Sequence, residues 1–193
     1  MIKEGVPQIR QFNYTPGNEE DRGACLWATF IIDCAAYTLT IESDCGRYGY
    51  GWKPTPDKER FIHLLSRLDK EYLLCKLADK SVFNIDASIK ETVRAIRDCF
   101  DGENDAELER AIKRIETLKV FERYSNSFYY DCDAILGTTS LSDCRFEIIQ
   151  IVKEYKTGAV TIADIFINEL QPLLKQEAKR EDDKKKASVK EKE

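Results

Sequence analysis

Histidine occurs once in this chain, at position 63, and no two cysteines form a C-x-x-C pair. These shortages leave little from which to build a close-paired zinc site or an imidazole-based acid–base mechanism. The compact signatures of phosphate, dinucleotide, zinc-protease and serine-hydrolase sites are missing too: there is no G-x-x-x-x-G-K-[ST], no G-x-G-x-x-G, no H-E-x-x-H and no G-x-S-x-G. No apolar run approaches the roughly 20 residues of a membrane-spanning helix, which excludes such a span. Met1-Ile2-Lys3-Glu4 lacks the basic, apolar, small-residue order of a secretory leader, so the expected location is the cytoplasm. The seven cysteines (Cys25, Cys34, Cys45, Cys75, Cys99, Cys132 and Cys144) are odd in number and scattered, which reads as free thiols in a reducing compartment. Cys132 and Cys144, flanked by Asp131, Asp133 and Asp143, are the one sequence-local group with metal-binding residue types. Without histidine nearby, the expectation is no metal and no cofactor.

What the chain does have is charge and rings. Charged residues make up 34% and the formal net charge is -5 over 193 residues. Residues 177 to 193 carry seven basic against six acidic side chains, so the negative charge belongs to residues 1 to 176. An acidic body repels phosphate backbones and favours basic protein surfaces. The expected organisation is one α+β domain over residues 1 to 176, followed by a charged, disordered tail over 177 to 193.

Hydrophobic periodicity divides that domain. Gln8 to Tyr14, Ala24 to Asp33 and Tyr37 to Ser43 have the alternation or β-branched density of strands, and Asp44 to Gly51 turns a corner or adds another strand. A small N-terminal antiparallel sheet follows, closed by Pro54-Thr55-Pro56. Helices are expected over Lys58 to Leu68, Tyr72 to Leu77, a segment opened by Asp86 or Ser88, and a clearly amphipathic segment after Asp105 with Leu108, Ile112, Ile115 and Leu118 inward. Ser88 with Glu91 fits a capping box. Ser125 to Leu136 should be a helix closed by Gly137, Phe146 to Tyr155 a strand, and Thr157-Gly158 a turn. A last helix capped by Thr161 and Asp164 should reach about Gln176, bent at Pro172. The mainly helical C-terminal part would pack as a layer on the sheet.

Two features suggest binding. Tyr48, Tyr50 and Trp52 alternate with Arg47, Gly49 and Gly51, so in a strand the three rings share one face. That face either anchors a partner or covers the core. The acids Asp98, Asp101, Glu103, Asp105, Glu107 and Glu109 form a negative stretch that fails the calcium-loop pattern: with Asp101 as the first ligand, Ala106 stands where the loop needs glycine and Ile112 where it needs glutamate. Taken together, Arg47, Tyr48, Tyr50, Trp52, Glu103, Asp105, Glu107 and Glu109 are the candidate binding residues, and no catalytic residue is assigned. His63 sits within Phe61-Ile62-His63-Leu64-Leu65 without a nucleophile motif and reads as a helix-boundary residue.

The run Tyr37 to Trp52 with Leu68-Asp69-Lys70-Glu71-Tyr72-Leu73-Leu74, and the segment Tyr155 to Leu174 with Gly158-Ala159, Phe166 and Pro172-Leu173-Leu174, resemble small accessory proteins of phages and prophages. The resemblance implies a phage accessory protein, in a class that includes anti-CRISPR and other anti-defence proteins. The expected function is a non-enzymatic intracellular binding protein that occupies a basic surface of a host protein or ribonucleoprotein. The alternatives are a nucleic-acid accessory protein stacking single-stranded bases on the ring face, and a metal-dependent hydrolase built on scattered carboxylates.

Overall fold

The computed structural model describes residues 8–17, 25–54, 60–99, 106–118 and 124–190, with side chains in the last helix described to residue 183. The chain divides into two compact units. Residues 1–79 and 155–193 form a sheet unit; residues 80–154 form a helical unit.

Four antiparallel strands in simple sequential order build the sheet: β1 (Ile9–Tyr14), β2 (Ala28–Asp33), β3 (Thr38–Ser43) and β4 (Gly46–Gly51). The β2–β3 register pairs Phe30 with Ile41 and Ile32 with Leu39, so the apolar residues of both strands fall on one face. That face is sealed: Phe30, Ile32, Leu39 and Ile41 are buried. The other face carries Gln11, Asn13, Thr40, Glu42 and Arg47 to solvent. This is the one-sided pattern of an antiparallel sheet.

Against the apolar face pack α1 (Phe61–Leu65), α2 (Lys70–Leu77), α7 (Thr157–Ile165), a five-residue π-helical turn (Phe166–Leu170) and α8 (Gln171–Lys190). Asp69 caps α2, accepting a hydrogen bond from the Tyr72 amide at 2.7 Å. The π turn stands directly ahead of Pro172, whose ring removes one amide donor and crowds the carbonyl four residues back. A locally widened helix accommodates that conflict, so the proline does not end the helix. Gln171 is 3% exposed, and its Nε2 donates to the carbonyls of Leu65 at 3.3 Å and Leu68 at 2.6 Å beyond the short α1. Gln171→Leu should therefore cost about 2 kcal/mol in urea unfolding, since it leaves buried carbonyls without a donor. An unchanged midpoint would show that water satisfies them.

The helical unit contains α3 (Ile85–Cys99), α4 (Ala106–Thr117), α5 (Ser125–Leu136), α6 (Arg145–Ile148) and a two-residue ladder of β5 (Val82–Phe83) with β6 (Lys153–Glu154). Its core gathers Ile89, Val93, Ile96, Leu108, Ile112, Ile115, Phe128 and Ile135. The amphipathic reading of α4 and the bounds of α5 agree with the sequence analysis.

Several expectations need correction. Ser88 does not cap α3: Asn84 does, accepting from the Ala87 amide at 2.9 Å, while Ser88 lies buried inside the helix. Phe146 to Tyr155 is not a strand, because α6 occupies its start and only Lys153–Glu154 pairs. Gly137 closes α5 with right-handed backbone (φ -62°), so it does not need glycine's left-handed freedom. Thr157 and Gly158 form the first turn of α7, so Thr161 and Asp164 lie within it. Finally, the last helix does not stop near Gln176 but continues to Lys190, with Ala178 buried and Glu177 paired to Arg10. The first turns after residue 176 thus belong to the fold. Asp57 and the Asp101-Gly102 stop lie outside the described residues.

Candidate binding corner

The expected ring face exists, but it points inward. Tyr48, Tyr50 and Trp52 do share one face of β4, and that face lies on the core. Trp52 is only 8% exposed, with its ring 5.5 Å from Phe61 and its indole N–H donating to the Tyr72 hydroxyl at 3.2 Å. Tyr50 packs edge-on against Trp52 at 4.7 Å, beneath the Lys76 ammonium at 5.2 Å. Tyr48 is half-buried and its hydroxyl donates to the Cys45 carbonyl at 2.8 Å. On this face Trp52 is buried and Tyr48 and Tyr50 are half-buried against the core that α1 and α2 help to form. Arg47 projects from the opposite face, exposed, 3.8 Å from Glu42. Glu107 and Glu109 are exposed in the first turn of α4, and Glu103 and Asp105 lie outside the described residues.

The exposed rings and aliphatics of the sheet unit sit elsewhere. Leu26 and Trp27 are 53% and 45% exposed, immediately before β2. The sequence reading placed both in a buried strand from Ala24, but pairing begins only at Ala28. Trp27 is in phase with the outward Thr29 and Ile31. The backbone of the pair is clamped by Asp44, from the turn between β3 and β4: Oδ2 accepts from the Leu26 amide at 2.9 Å and Oδ1 from the Trp27 amide at 3.3 Å. These bonds, the Leu26 amide foremost, hold the Asp44 carboxyl below its ordinary pKa, so the clamp is ionised at neutral pH. Directly behind it, Cys25 is 3% exposed and its thiol donates to Asp44 Oδ1 at 3.1 Å. Burial, reinforced by the neighbouring carboxylate, pushes this thiol up to about 12, so it stays protonated. Only an Asp forty-four residues in, brought back by a hairpin, reveals the corner, and no local pattern in the sequence signals it.

A second charged region joins β1, α1 and α8. Arg10 pairs with Glu177, and Arg60 with Glu181 at 2.6 Å, beside a cavity of about 590 Å³ also lined by Cys34 and Tyr37. His63 Nε2 stands 3.6 Å from Glu181 and 3.8 Å from Asp182. These pairs pin α8 to the sheet unit. The Arg60 hydrogen bond, opposed by desolvation, holds the Glu181 carboxyl below the usual glutamate range. A lowered folded-state pKa gives stability that is present above the unfolded value and lost as pH falls through the folded one. The stability difference between the parent and Glu181→Gln should accordingly be flat at neutral pH and shrink on acidification below the ordinary glutamate range, measured by urea midpoints across pH. A difference that grows on acidification would contradict the pairing.

In the helical unit, Asp133 is taken up by Arg145 at 2.6 Å, and Cys132 is fully buried, which separates the residues grouped there in the sequence. No described helix is long and apolar enough to cross a membrane. Comparison with curated proteins and with solved structures finds no match. A family model described as a phage family, Phage_phiTE_072, matches residues 8–176, and the chain belongs to that family.

Proposed function

We propose that this phage protein is a binding protein that makes and breaks no bonds itself and docks through the Leu26–Trp27 corner onto a macromolecular partner with a basic surface, such as a component of a bacterial defence complex. The observation that carries this reading is the pair of large apolar side chains held in the open on a backbone locked by Asp44. A preformed anchor loses little conformational freedom on docking, and buried Trp side chains dominate the energetics of interfaces. Glu42 and Asp44 lie exposed on the same hairpin, and the whole chain is acidic, which favours approach to a basic surface. On this reading the binding residues move from the inward rings of β4 to Leu26, Trp27 and the outward Glu42, while the exposed acids Glu107 and Glu109 contribute long-range steering.

The test is capture of the partner from host cells by the immobilised chain, compared with a Leu26→Ala, Trp27→Ala variant. Loss of a tryptophan anchor costs about 2 kcal/mol or more, roughly a thirtyfold weakening. Both side chains are exposed, so the variant should keep the parent's urea midpoint. Equal capture by a folded double variant would refute the docking corner.

A further inference from the structure

We infer that Cys25, Cys45 and Asp44 form a binding site for a thiolate-seeking divalent cation of the zinc class. Their ligand atoms, two Sγ and one carboxylate oxygen, all lie within 4.8 Å of one another. Ligands of a tetrahedral zinc ion stand about 3.3 to 3.8 Å apart, given Zn–S near 2.3 Å and Zn–O near 2.0 Å. The three donors thus need only small shifts of a few tenths of an ångström to about one ångström. Cys25 Sγ already stands 3.1 Å from Asp44 Oδ1, in a hydrogen bond whose proton the cation would replace. Metal binding here releases the thiol protons to solvent, with no oxidant or reductant involved.

The surroundings are those of a built site. Asp44 Oδ2 keeps its bond from the Leu26 amide while Oδ1 faces Cys25, so the carboxylate is oriented by a partner outside the donor set. The Cys45 backbone is fixed by the Tyr48 hydroxyl on its carbonyl and by the close approach of Gly158, where a Cβ would come within 2.4 Å of the same oxygen. The turn itself requires Gly46 at φ +129°, a conformation L side chains rarely adopt. An entry route is present as well: a cleft of about 280 Å³ lined by Tyr14, Cys25, Thr161, Asp164 and Asn168 reaches the buried Cys25. With three protein donors, the fourth position falls to water, as in open zinc sites. The site stands apart from the docking corner in what it binds, although Asp44 serves both.

Cobalt(II) added to the reduced full-length chain tests the assignment. One equivalent should produce a near-ultraviolet thiolate-to-cobalt charge-transfer band with visible absorption of tetrahedral intensity, and zinc should abolish both. Cys45→Ser should remove the band, Asp44→Asn should weaken cobalt affinity by at least about tenfold, and Cys75→Ser, at an exposed thiol, should change nothing. Because the buried Cys25 and the clamp could matter to folding, each variant is checked by circular dichroism, and zinc protection of Cys45 from alkylation is read by peptide mass spectrometry in the parent chain. No band in the reduced parent, a band that survives Cys45→Ser, or a Cys45 alkylated equally fast with and without zinc would overturn the site.

Discussion

Gly158→Ala is expected to lower the stability of this protein by about 2 kcal/mol, although the position lies in a helix where alanine is the favoured residue. Helix propensity alone would make the substitution stabilising by about 1 kcal/mol. Packing opposes it. The new Cβ would sit 2.4 Å from the Cys45 carbonyl oxygen and 3.2 Å from the Tyr48 hydroxyl, and the nearer atom is backbone in a turn fixed by Gly46. Either α7 lifts from the hairpin or the turn moves, and forced overpacking costs about 1 to 3 kcal/mol or more. The larger, β-branched Gly158→Val should be worse and should also break the Tyr48 hydroxyl bond to Cys45. Urea unfolding of the two variants decides the sign. A Gly158→Ala protein as stable as the parent would mean that α7 does not bear on the β3–β4 turn.

Phe166→Ala should cost more, about 3 to 5 kcal/mol. Phe166 is fully buried in the π turn, with its ring 6.1 Å from Phe30 in the middle of β2. The pair joins the C-terminal helices to β2, one of the two inner strands of the sheet, so truncating either ring removes apolar burial and leaves a cavity that Ile32, Ile41 and Leu170 cannot all fill by relaxing. At such a cost a domain of ordinary marginal stability loses much of its folded population. A loss below about 1 kcal/mol would show that this part of the core collapses without penalty.

Legibility of the fold followed from where backbone hydrogen bonds go. The strands were readable because Leu39 and Ile41 alternate with polar residues, while β2 is dense in apolar and β-branched residues, and both bury one face. The segment after α6 was not, because its β-branched run finds partners other than a strand. The Gln150 amide donates to Thr92 Oγ1 at 3.0 Å and the Val152 amide to Ser88 Oγ at 2.9 Å, both on α3. Two helix hydroxyls, fully buried for this purpose, substitute for a neighbouring strand. A capping-box pattern at Ser88 was misleading for the same reason. The glycine of Thr157-Gly158 suggested a turn, whereas it serves a close approach between helix and hairpin. Composition predicted solvation after residue 176, yet Glu177 and Glu181 are held by Arg10 and Arg60, far away in sequence.

For the candidate binding residues, the sequence showed the kind of side chain but not its exposure. Spacing placed Tyr48, Tyr50 and Trp52 on one face correctly but could not say that α1 and α2 cover it. Leu26 and Trp27 were hidden in an apolar run whose first residues precede the strand, and the clamp that exposes them comes from Asp44 on another hairpin. Membership of a phage family fits the resemblance carried by Tyr37 to Trp52 and Tyr155 to Leu174.

The claim that the molecule works by touching a partner at the Leu26–Trp27 corner is tested most directly by photo-crosslinking in host cells. A photoreactive aromatic residue is placed at position 27, and in a separate chain at the exposed Gln11 on the outer face of β1. A discrete macromolecular adduct is expected from position 27, absent or much weaker from position 11. No adduct from position 27, or the same adducts from both positions, would contradict that claim.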